Sequence, residues 1–239
     1  MSGLLVVAPH PDDEALGAGG VIVRAARAGE EVTVLTVAAH MPPLYSSEAH
    51  QRSMDEALRA HEVLGVTRSI FLDLPAVLIN QRPVHELNDT ILATVREVEP
   101  TVVLAPFPDR HIDHRCVFAA VMVATRPFGA GAGIASVASY ETVSETHWNA
   151  PGIEPGFTPN WVEDIGDVMD LKLAALACYR SQMKPFPAAR SLEAVKALAT
   201  FRGSQAGFAF GEAYQIIRMV NALSFFIGPG PERVRPAAE

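Results

Sequence analysis

The feature that most constrains this sequence is a short apolar run followed at once by a dense polar motif. The run occupies residues 4–7, and the motif after it reads His10-Pro11-Asp12-Asp13-Glu14. An apolar run that ends at proline-flanked polar residues predicts a buried strand followed by a loop. Pro11 favours extended backbone at His10, so the imidazole should lie at the carboxyl end of the strand. Open α/β sheets bind ligands at that edge.

The charges of this motif need compensation. Two adjacent carboxylates beside a histidine repel each other in a buried site unless a cation or bound protons offset their charge. Carboxylate oxygens and imidazole nitrogens are common ligands of divalent metals. The motif therefore predicts a divalent metal site at the end of the first strand.

Size and charge limit the function classes. The chain has 239 residues, 49% hydrophobic and 19% charged, which favours one large α/β domain over two small ones. We expect residues 1–220 to form this domain and residues 221–239 to form a partly ordered tail. The net charge of −8, without a cluster of lysines or arginines, argues against nucleic acid and anionic membranes as partners. No segment resembles a signal peptide or a membrane span, so we expect a cytoplasmic protein.

Strand and helix patterns alternate along most of the chain. Further strands are predicted at residues 32–37, 69–72, 101–105, 135–140 and 161–164. Helices are predicted at residues 14–28, 47–64, 84–97, 112–124, 168–179, 192–202 and 211–220. This alternation predicts right-handed crossovers and a Rossmann-like three-layer α/β fold, with a mainly parallel sheet and helices on both faces.

Two segments depart from these regular patterns. The first predicted helix contains Gly17, Gly19 and Gly20, which each destabilise a helix by roughly 1 kcal/mol relative to alanine. Close approach of the backbone to the sheet or to a ligand would explain them. Residues 141–159 form a long irregular segment with several aromatic side chains, which predicts an ordered lid or pocket wall.

A second polar motif follows the predicted strand at residues 101–105. It reads His111-Ile112-Asp113-His114 and begins a predicted helix. Two histidines three residues apart share a helix face. An isolated histidine is usually structural, but two such clusters at the carboxyl ends of two strands favour one common site.

The two motifs together resemble the signatures of the PIG-L/LmbE-like metal-dependent N-deacetylases. Residues 9–14 and 111–114 match both signatures, and the resemblance extends to Arg180-Ser181-Gln182-Met183 and Gly211-Glu212-Ala213-Tyr214. The resemblance thus covers nearly the whole domain. It implies a hydrolase that removes the N-acetyl group from an N-acetylated amino sugar or a glycoconjugate.

The resemblance also implies roles for individual residues. The zinc ligands would be His10, Asp13 and His114. Asp12 would be the general base, and His111 would polarise the carbonyl or protonate the leaving amine. Zinc with three protein ligands keeps an open position for water, whose pKa it lowers to about 7. The resulting zinc-bound water would attack the amide; Fe²⁺ or Co²⁺ could replace zinc.

Other polar residues have less specific roles at this stage. Asp113 would orient a histidine, whereas Glu14 would either support the site or act as an acidic residue at a helix start. Candidate substrate contacts, each equally explained as a solvated or structural charge, are Arg52, Asp109, Arg110 and Glu141. At residues 37–42 the sequence lacks the Gly/Glu-containing turn common in many relatives, which weakens any transfer of a specific substrate.

Two other functions are compatible with the sequence. One is an amidase that acts on a larger conjugate, with residues 141–159 shaping an open groove. The other is a non-catalytic sugar- or nucleotide-binding module that uses the glycines of the first helix. Those glycines do not form the Gly-x-Gly-x-x-Gly pattern, which disfavours the binding module. The expected partner is a small-molecule N-acetyl sugar or glycoconjugate, and the apolar residues 223–227 make a homo-oligomer plausible.

Overall fold

Residues 3–220 are described by the computed structural model, and their strands form a seven-stranded sheet. The strands are β1 (Gly3–Ala8), β2 (Glu31–Ala39), β3 (Arg68–Pro75), β4 (Val102–Pro106), β5 (Ser136–Tyr140), β6 (Trp161–Asp164) and β7 (Gly211–Met219). The α-helices are α1 (Asp13–Arg27), α2 (Ser47–Leu64), α3 (Val84–Val98), α4 (Ile112–Ala124), α5 (Met169–Leu176) and α6 (Leu192–Ser204). None of these helices is long and apolar enough to cross a membrane.

The sheet is mainly parallel, as predicted. Its strand order is β3-β2-β1-β4-β5-β7-β6, with β1 to β5 parallel and β7 antiparallel to both of its neighbours. The chain moves outward from β1 to β2 and β3 on one side, and from β4 to β5 on the other. The carboxyl ends of β1 and β4 therefore flank a switch point, where doubly wound sheets bind ligands. The two polar motifs follow these two strands.

Both faces of the sheet are covered by a hydrophobic core. Alternate residues of β1 belong to different cores: Leu4 and Val6 pack on the side of α1, α2, α5 and α6, whereas Leu5 and Val7 pack on the side of α3 and α4. Strands buried on both faces are continuous apolar runs, which explains the unbroken apolar sequence of β1.

One predicted element is wrong. Residues 211–220 were predicted to form a helix, but Gly211–Met219 is strand β7, which pairs with β5 and β6. Tyr214, Ile216 and Ile217 favour a strand, and ladder hydrogen bonds on both sides outweigh the helix propensity of the remaining residues. The other predicted helices and strands are present; the bounds of α2, α4 and β6 are as predicted, and the rest have shifted ends. The predicted tail at residues 221–239 lies outside the described residues.

The glycines of α1 allow this helix to pack unusually close to its neighbours. A Cβ atom on Gly17 would lie 2.1 Å from Cδ2 of Tyr140, and one on Gly20 would lie 2.4 Å from Cγ2 of Ile165. Of the two explanations left open by the sequence, close packing against protein therefore accounts for these positions.

A buried ion pair joins the carboxyl-terminal elements to α1. Lys172 on α5 donates to Oε1 of Glu212 on β7 at 2.6 Å and to the carbonyl of Leu16 at 2.8 Å. The Glu212 carboxylate also accepts from the backbone amides of Gly20 and Val21 at 2.7 and 2.9 Å. The lysine and the carboxylate are thus paired and hydrogen-bonded despite their burial. Their contacts with α1 hold α5 and β7 at a defined position on this helix. The segment between α5 and α6 contributes to the site described below.

We expect Gly17→Ala to lower the free energy of unfolding by about 3 kcal/mol, because the added methyl group overlaps the ring of Tyr140. Gly133→Ala is the matched control, since a Cβ there would meet no atom within 4 Å. Urea unfolding of the two variants measures the difference. A Gly17→Ala protein as stable as the control would contradict the close packing.

Candidate metal centre

The two polar motifs meet because β1 and β4 are neighbours in the sheet. His10 follows β1, whereas His111 and His114 lie at the start of α4 after β4. His111 caps α4: its Nδ1 accepts a hydrogen bond from the backbone amide of Asp113 at 3.2 Å. Asp12 precedes α1 and has a backbone φ of 109°, a conformation that residues other than glycine rarely adopt.

Three potential ligand atoms converge on one point. Oδ2 of Asp13 lies 3.2 Å from Nδ1 of His10 and 3.3 Å from Nε2 of His114. All three residues are buried. Ring nitrogens of His10, His111 and His114 also lie within 4.8 Å of one another. The geometry thus offers two ligand sets, which share His10 and His114 and differ in the third ligand.

Several buried polar atoms of this cluster lack hydrogen-bond partners among the described residues. They are Oδ1 of Asp12, Oδ1 of Asp13, Oδ1 of Asp113 and Nε2 of His114. A buried polar group without a partner costs about 1–3 kcal/mol. Oxygen and nitrogen atoms of this kind are suitable ligands for zinc and similar divalent ions. The donor set therefore fits a divalent metal ion.

Carboxylates hold both shared histidines from behind. Oδ2 of Asp113 lies 2.8 Å from Nε2 of His10, and Oδ2 of Asp109 lies 3.0 Å from Nδ1 of His114. Asp109 in turn accepts from the Thr146 hydroxyl at 2.9 Å. Such carboxylate–histidine pairs set the ring orientation and tautomer of metal-binding histidines. They leave Nδ1 of His10 and Nε2 of His114 facing Asp13.

A strained backbone amide supports Asp113. The amide of Val77, in the loop after β3, donates to Oδ2 of Asp113 at 2.7 Å. Val77 has a φ of 67°, which is strongly unfavourable for a β-branched residue. Sequence reasoning missed this contact, since a backbone donor has no signature in the sequence.

The carboxylates dominate the electrostatics of the two imidazoles. Burial by itself lowers the pKa of His114, but the charges of Asp13 and Asp109 outweigh it and raise the pKa to about 10. Burial likewise opposes the rise in the pKa of His10, which comes from the hydrogen bonds of its ring to the carboxylates of Asp113 and Asp13. The pKa of Asp13 lies well below its usual value despite burial, because both imidazoles stabilise the carboxylate. The cluster is therefore an environment that attracts positive charge.

Asp12 is paired with an arginine from a distant part of the chain. Nη1 of Arg190, between α5 and α6, donates to Oδ2 of Asp12 at 2.9 Å. Nε of Arg190 donates to the Ser144 hydroxyl at 2.7 Å, which fixes the guanidinium. Complete burial raises the pKa of Asp12 to about 8, although Arg190 opposes the rise. Sequence reasoning missed Arg190, because it lies outside both motifs and has no distinctive neighbours in the sequence.

His111 differs from the other two histidines of the cluster. It is half-buried, and burial together with the charges of His10 and His114 lowers its pKa to about 4. Since its Nδ1 accepts the hydrogen bond from Asp113, a neutral ring carries its proton on Nε2.

Glu14 lies behind the cluster. It accepts a short hydrogen bond from the Tyr179 hydroxyl and a 3.2 Å bond from the backbone amide of Asp12. Nε2 of His61 lies 3.7 Å from Oε1 of Glu14, the same oxygen that accepts from Tyr179. Glu14 thus contacts the backbone of Asp12 and joins it to α2 and the segment after α5.

Two of the four predicted substrate contacts are buried and paired within the protein. Asp109 is only 1% exposed and is engaged by His114 and Thr146. Glu141 is buried and forms a bidentate pair with Arg202 at 2.8 and 2.6 Å. Their hydrogen-bonding capacity is used within the protein, so they are poorly placed to contact a substrate.

The other two predicted substrate contacts are exposed. Arg110 directly precedes His111 and pairs with Glu145, where Nη1 and Oε2 are 3.4 Å apart. Arg52 lies on α2, where its charge acts on Glu48. Arg110 is thus at the rim of the centre, and Arg52 stays a prediction.

His40 lies beside His10 at the edge of the centre. Its ring lies parallel to that of His10, with 6.4 Å between centroids. Its Nδ1 lies 3.3 Å from Nε2 of Gln182, whose Oε1 is 3.4 Å from Nη1 of Arg190. His40 occupies the turn after β2, where the sequence departs from many relatives.

The chain matches a known protein family and several of its members. The family described as PIG-L: GlcNAc-PI de-N-acetylase matches residues 5–125. A diacetylchitobiose deacetylase of Thermococcus kodakarensis is 28% identical over 95% of this chain and 86% of its own length. A 1D-myo-inositol 2-acetamido-2-deoxy-alpha-D-glucopyranoside deacetylase of Rhodococcus opacus is 30% identical over 77% of this chain and 82% of its own length.

The fold also matches solved structures. The N,N'-diacetylchitobiose deacetylase from Pyrococcus horikoshii superposes with a TM-score of 0.71 and 24% sequence identity. The alignment covers 96% of this chain and 88% of that protein. At this identity the likeness concerns the fold, and it agrees with the layered α/β architecture described above.

We expect Val77→Asn to raise the free energy of unfolding by about 1 kcal/mol, because asparagine tolerates a positive φ better than valine. The variant keeps the backbone donor to Asp113. Val84→Asn is the control, since Val84 is exposed at the start of a helix. Urea unfolding of the metal-free proteins measures the change; a Val77→Asn protein less stable than wild type would argue against strain at this residue.

Proposed function

Because this chain belongs to the PIG-L family, we propose that it removes the N-acetyl group from an N-acetylated amino sugar or a glycoconjugate that carries one. The observation that carries the proposal is the convergence of Nδ1 of His10, Oδ2 of Asp13 and Nε2 of His114 beside the buried carboxylate of Asp12. We further propose that residues 1–220 act as one catalytic domain.

The metal ligands in this proposal are His10, Asp13 and His114. Asp13 is preferred to His111 as the third ligand because one of its oxygens lies within 3.3 Å of both ligating nitrogens. His111 instead keeps one ring nitrogen occupied as the cap of α4. We propose zinc as the metal, since it accepts two imidazoles and a carboxylate; Fe²⁺ and Co²⁺ accept similar ligands.

When bound, the divalent ion supplies Lewis-acid polarisation to the attacking water and to the acetyl carbonyl. Asp12 is the general base in this proposal. Its Oδ2 is held by Arg190, and its Oδ1 has no partner among the described residues, so Oδ1 is free to take a proton from water. Arg190 acts as a positioning residue because it fixes the orientation of the carboxylate.

His111 stabilises the negative charge that develops on the carbonyl oxygen. With Nδ1 engaged by the backbone of α4, the ring presents an N–H at Nε2. A neutral imidazole can donate a hydrogen bond from this position without transferring its proton. The proton held by Asp12 is then available to the leaving nitrogen, which departs as an amine.

Two variants separate the base from the ligands. We expect Asp12→Asn to keep about one metal ion per chain and to lose at least about 100-fold in kcat, since general-base catalysis contributes that much. We expect His114→Ala to lose metal affinity itself. Metal analysis of the dialysed proteins and acetate release from N-acetylglucosamine derivatives measure both effects.

Three results would contradict these assignments. Wild-type turnover by Asp12→Asn would exclude Asp12 as the base, and full metal occupancy in His114→Ala would exclude His114 as a ligand. Turnover of bulky amides but of none of the N-acetyl sugars would favour an amidase that acts on a larger conjugate.

We expect Asp109→Asn to weaken metal binding by about 10- to 100-fold, although Asp109 is not a ligand in this proposal. The reason is that its carboxylate orients His114 from behind. Thr146→Val, which removes only one donor to Asp109, should have a smaller effect. Competition with a chromophoric chelator measures the affinities, and equal affinities for wild type and Asp109→Asn would contradict the supporting role.

A further inference from the structure

His40 is a polar side chain at the edge of the metal centre that the proposed mechanism does not use. It is half-buried, and its ring centroid lies 6.4 Å from that of His10 and 4.5 Å from that of Tyr45. Nδ1 of His40 contacts Gln182, whereas its Nε2 forms no hydrogen bond to any described residue. Unlike Nε2 of His114, this nitrogen is not enclosed by the protein. His40 therefore has one ring nitrogen available to a ligand.

The orientation of the Gln182 amide decides which hydrogen bond Nδ1 of His40 can form. A guanidinium group carries donors only, so the atom of Gln182 that faces Arg190 must be its oxygen. Oε1 of Gln182 lies 3.4 Å from Nη1 of Arg190, and this Nη1 is itself placed by Asp12 at 2.9 Å. The nitrogen of the Gln182 amide is consequently the atom that faces His40, at 3.3 Å from Nδ1.

Hydrogen bonds at the nitrogen end of Gln182 require the same orientation. Nε2 of Gln182 lies 3.2 Å from Oγ of Ser181, and the Ser181 hydroxyl donates to Oε2 of Glu56 at 2.6 Å. A hydroxyl has a single proton to donate, so Oγ of Ser181 can only accept from Gln182. Glu56 is buried and also accepts from the backbone amide of Ser181 at 3.0 Å. Both ends of the amide are thus fixed by groups whose roles cannot be exchanged.

These constraints determine the tautomer of His40. Because Gln182 offers an N–H, Nδ1 of His40 accepts the hydrogen bond and carries no proton. The ring then carries its proton on Nε2, which is the nitrogen without a partner among the described residues. The protein therefore holds a hydrogen-bond donor in a set orientation beside the metal centre and leaves its acceptor to a ligand.

We propose that His40 is a specificity-determining residue whose Nε2–H donates a hydrogen bond to a hydroxyl group of the sugar. In the proposed deacetylase function, on which this inference rests, the metal ion and His111 take the acetyl carbonyl. His40 instead belongs to the side of the centre that Arg190 forms, so the oxygen that reaches it is a ring hydroxyl. Gln182 is a positioning residue, because it acts through His40. A sugar without this hydroxyl leaves the donor unpaired, which lowers its affinity.

Nitrogen NMR tests the tautomer without reference to activity. In the zinc-loaded protein with nitrogen-15 in its histidine rings, we expect a proton on Nε2 of His40 and none on Nδ1. The signals that disappear in His40→Gln assign this ring. Gln182→Met has a similar length but no donor, and it should give a mixture of both tautomers. A proton on Nδ1 in the wild type would overturn the inference, and a single unchanged tautomer in Gln182→Met would contradict the role of Gln182.

Paired substitutions of His40 test the contact with the sugar. The amide of asparagine reaches about as far as Nδ1 of a histidine, and the amide of glutamine about as far as Nε2. His40→Asn therefore keeps a partner for Gln182 and loses the outer donor, whereas His40→Gln keeps a donor near the position of Nε2. We expect His40→Asn to raise KM for N-acetylglucosamine about tenfold, the effect of one lost hydrogen bond, and His40→Gln to restore most of this loss. The kcat values should change little, because His40 does not touch the reacting atoms.

His85→Asn is the matched control, since His85 is an exposed histidine of α3 and lies outside the centre. It should leave KM and kcat unchanged. Analogues of N-acetylglucosamine that each lack one hydroxyl group identify the contacted oxygen. We expect one of them to have a KM about tenfold higher than the parent sugar with the wild type, and less than about twofold higher with His40→Asn. Equal discrimination by both proteins, or a His40→Gln protein as impaired as His40→Asn, would overturn the inference.

A binding measurement keeps this inference separate from the proposed function. Calorimetric titration of the metal-free protein with N-acetylglucosamine should show binding that His40→Asn weakens about tenfold. If the zinc-loaded wild type releases acetate from no N-acetyl sugar, the proposed function fails, and the tautomer and the titration still decide the role of His40. No binding by the wild type, or equal binding by His40→Asn, would overturn it. Thermal unfolding identifies any variant that fails to fold, and the wild-type tautomer then carries the test.

Discussion

The structure depends on the complete burial of three consecutive carboxylates after β1. Asp12, Asp13 and Glu14 each have no exposed surface, although charged side chains are almost never fully buried unless they are paired. Each has a different set of partners. These are Arg190 for Asp12, His10 and His114 for Asp13, and Tyr179 with the amide of Asp12 for Glu14. The partners from other elements come from α4 and from the segment between α5 and α6, so the burial of one tripeptide couples elements on both faces of the sheet to the end of β1.

The same edge of the sheet also contains strained backbone. Asp12 and Val77 both have a positive φ, and both contribute hydrogen-bonding groups to the metal cluster. Strain of this kind persists only where the surroundings determine the conformation. Here the surroundings include α1, which packs closely against β5 through Gly17, and the buried pair of Lys172 and Glu212. The rigid interior thus maintains geometry that the local sequence would not adopt by itself.

Chemistry and substrate choice have different structural origins in this arrangement. The groups proposed for hydrolysis follow β1 and β4, and all except the half-buried His111 are buried, so their positions follow from the sheet. The exposed side chains of Arg110 and Trp148 lie on the connecting segments that follow β4 and β5. Loops carried by a rigid scaffold are the usual place for binding specificity.

Local patterns in the sequence determined most of the fold. Apolar runs, helical periodicity and their alternation predict six of the strands and the mainly parallel sheet, because each pattern reflects the burial of a short segment. The two motifs also predict one common site, since the carboxyl ends of parallel strands share an edge, and the family resemblance implies that His10, Asp13 and His114 are its metal ligands; the three side chains converge there. The tertiary structure alone decided three other features. Residues 211–219 became a strand because two neighbours supply ladder bonds, Asp109 was turned inward by His114 and Thr146, and Arg190 reached Asp12 across 178 positions. These outcomes depend on contacts between distant segments, and no periodicity or spacing within a segment specifies them.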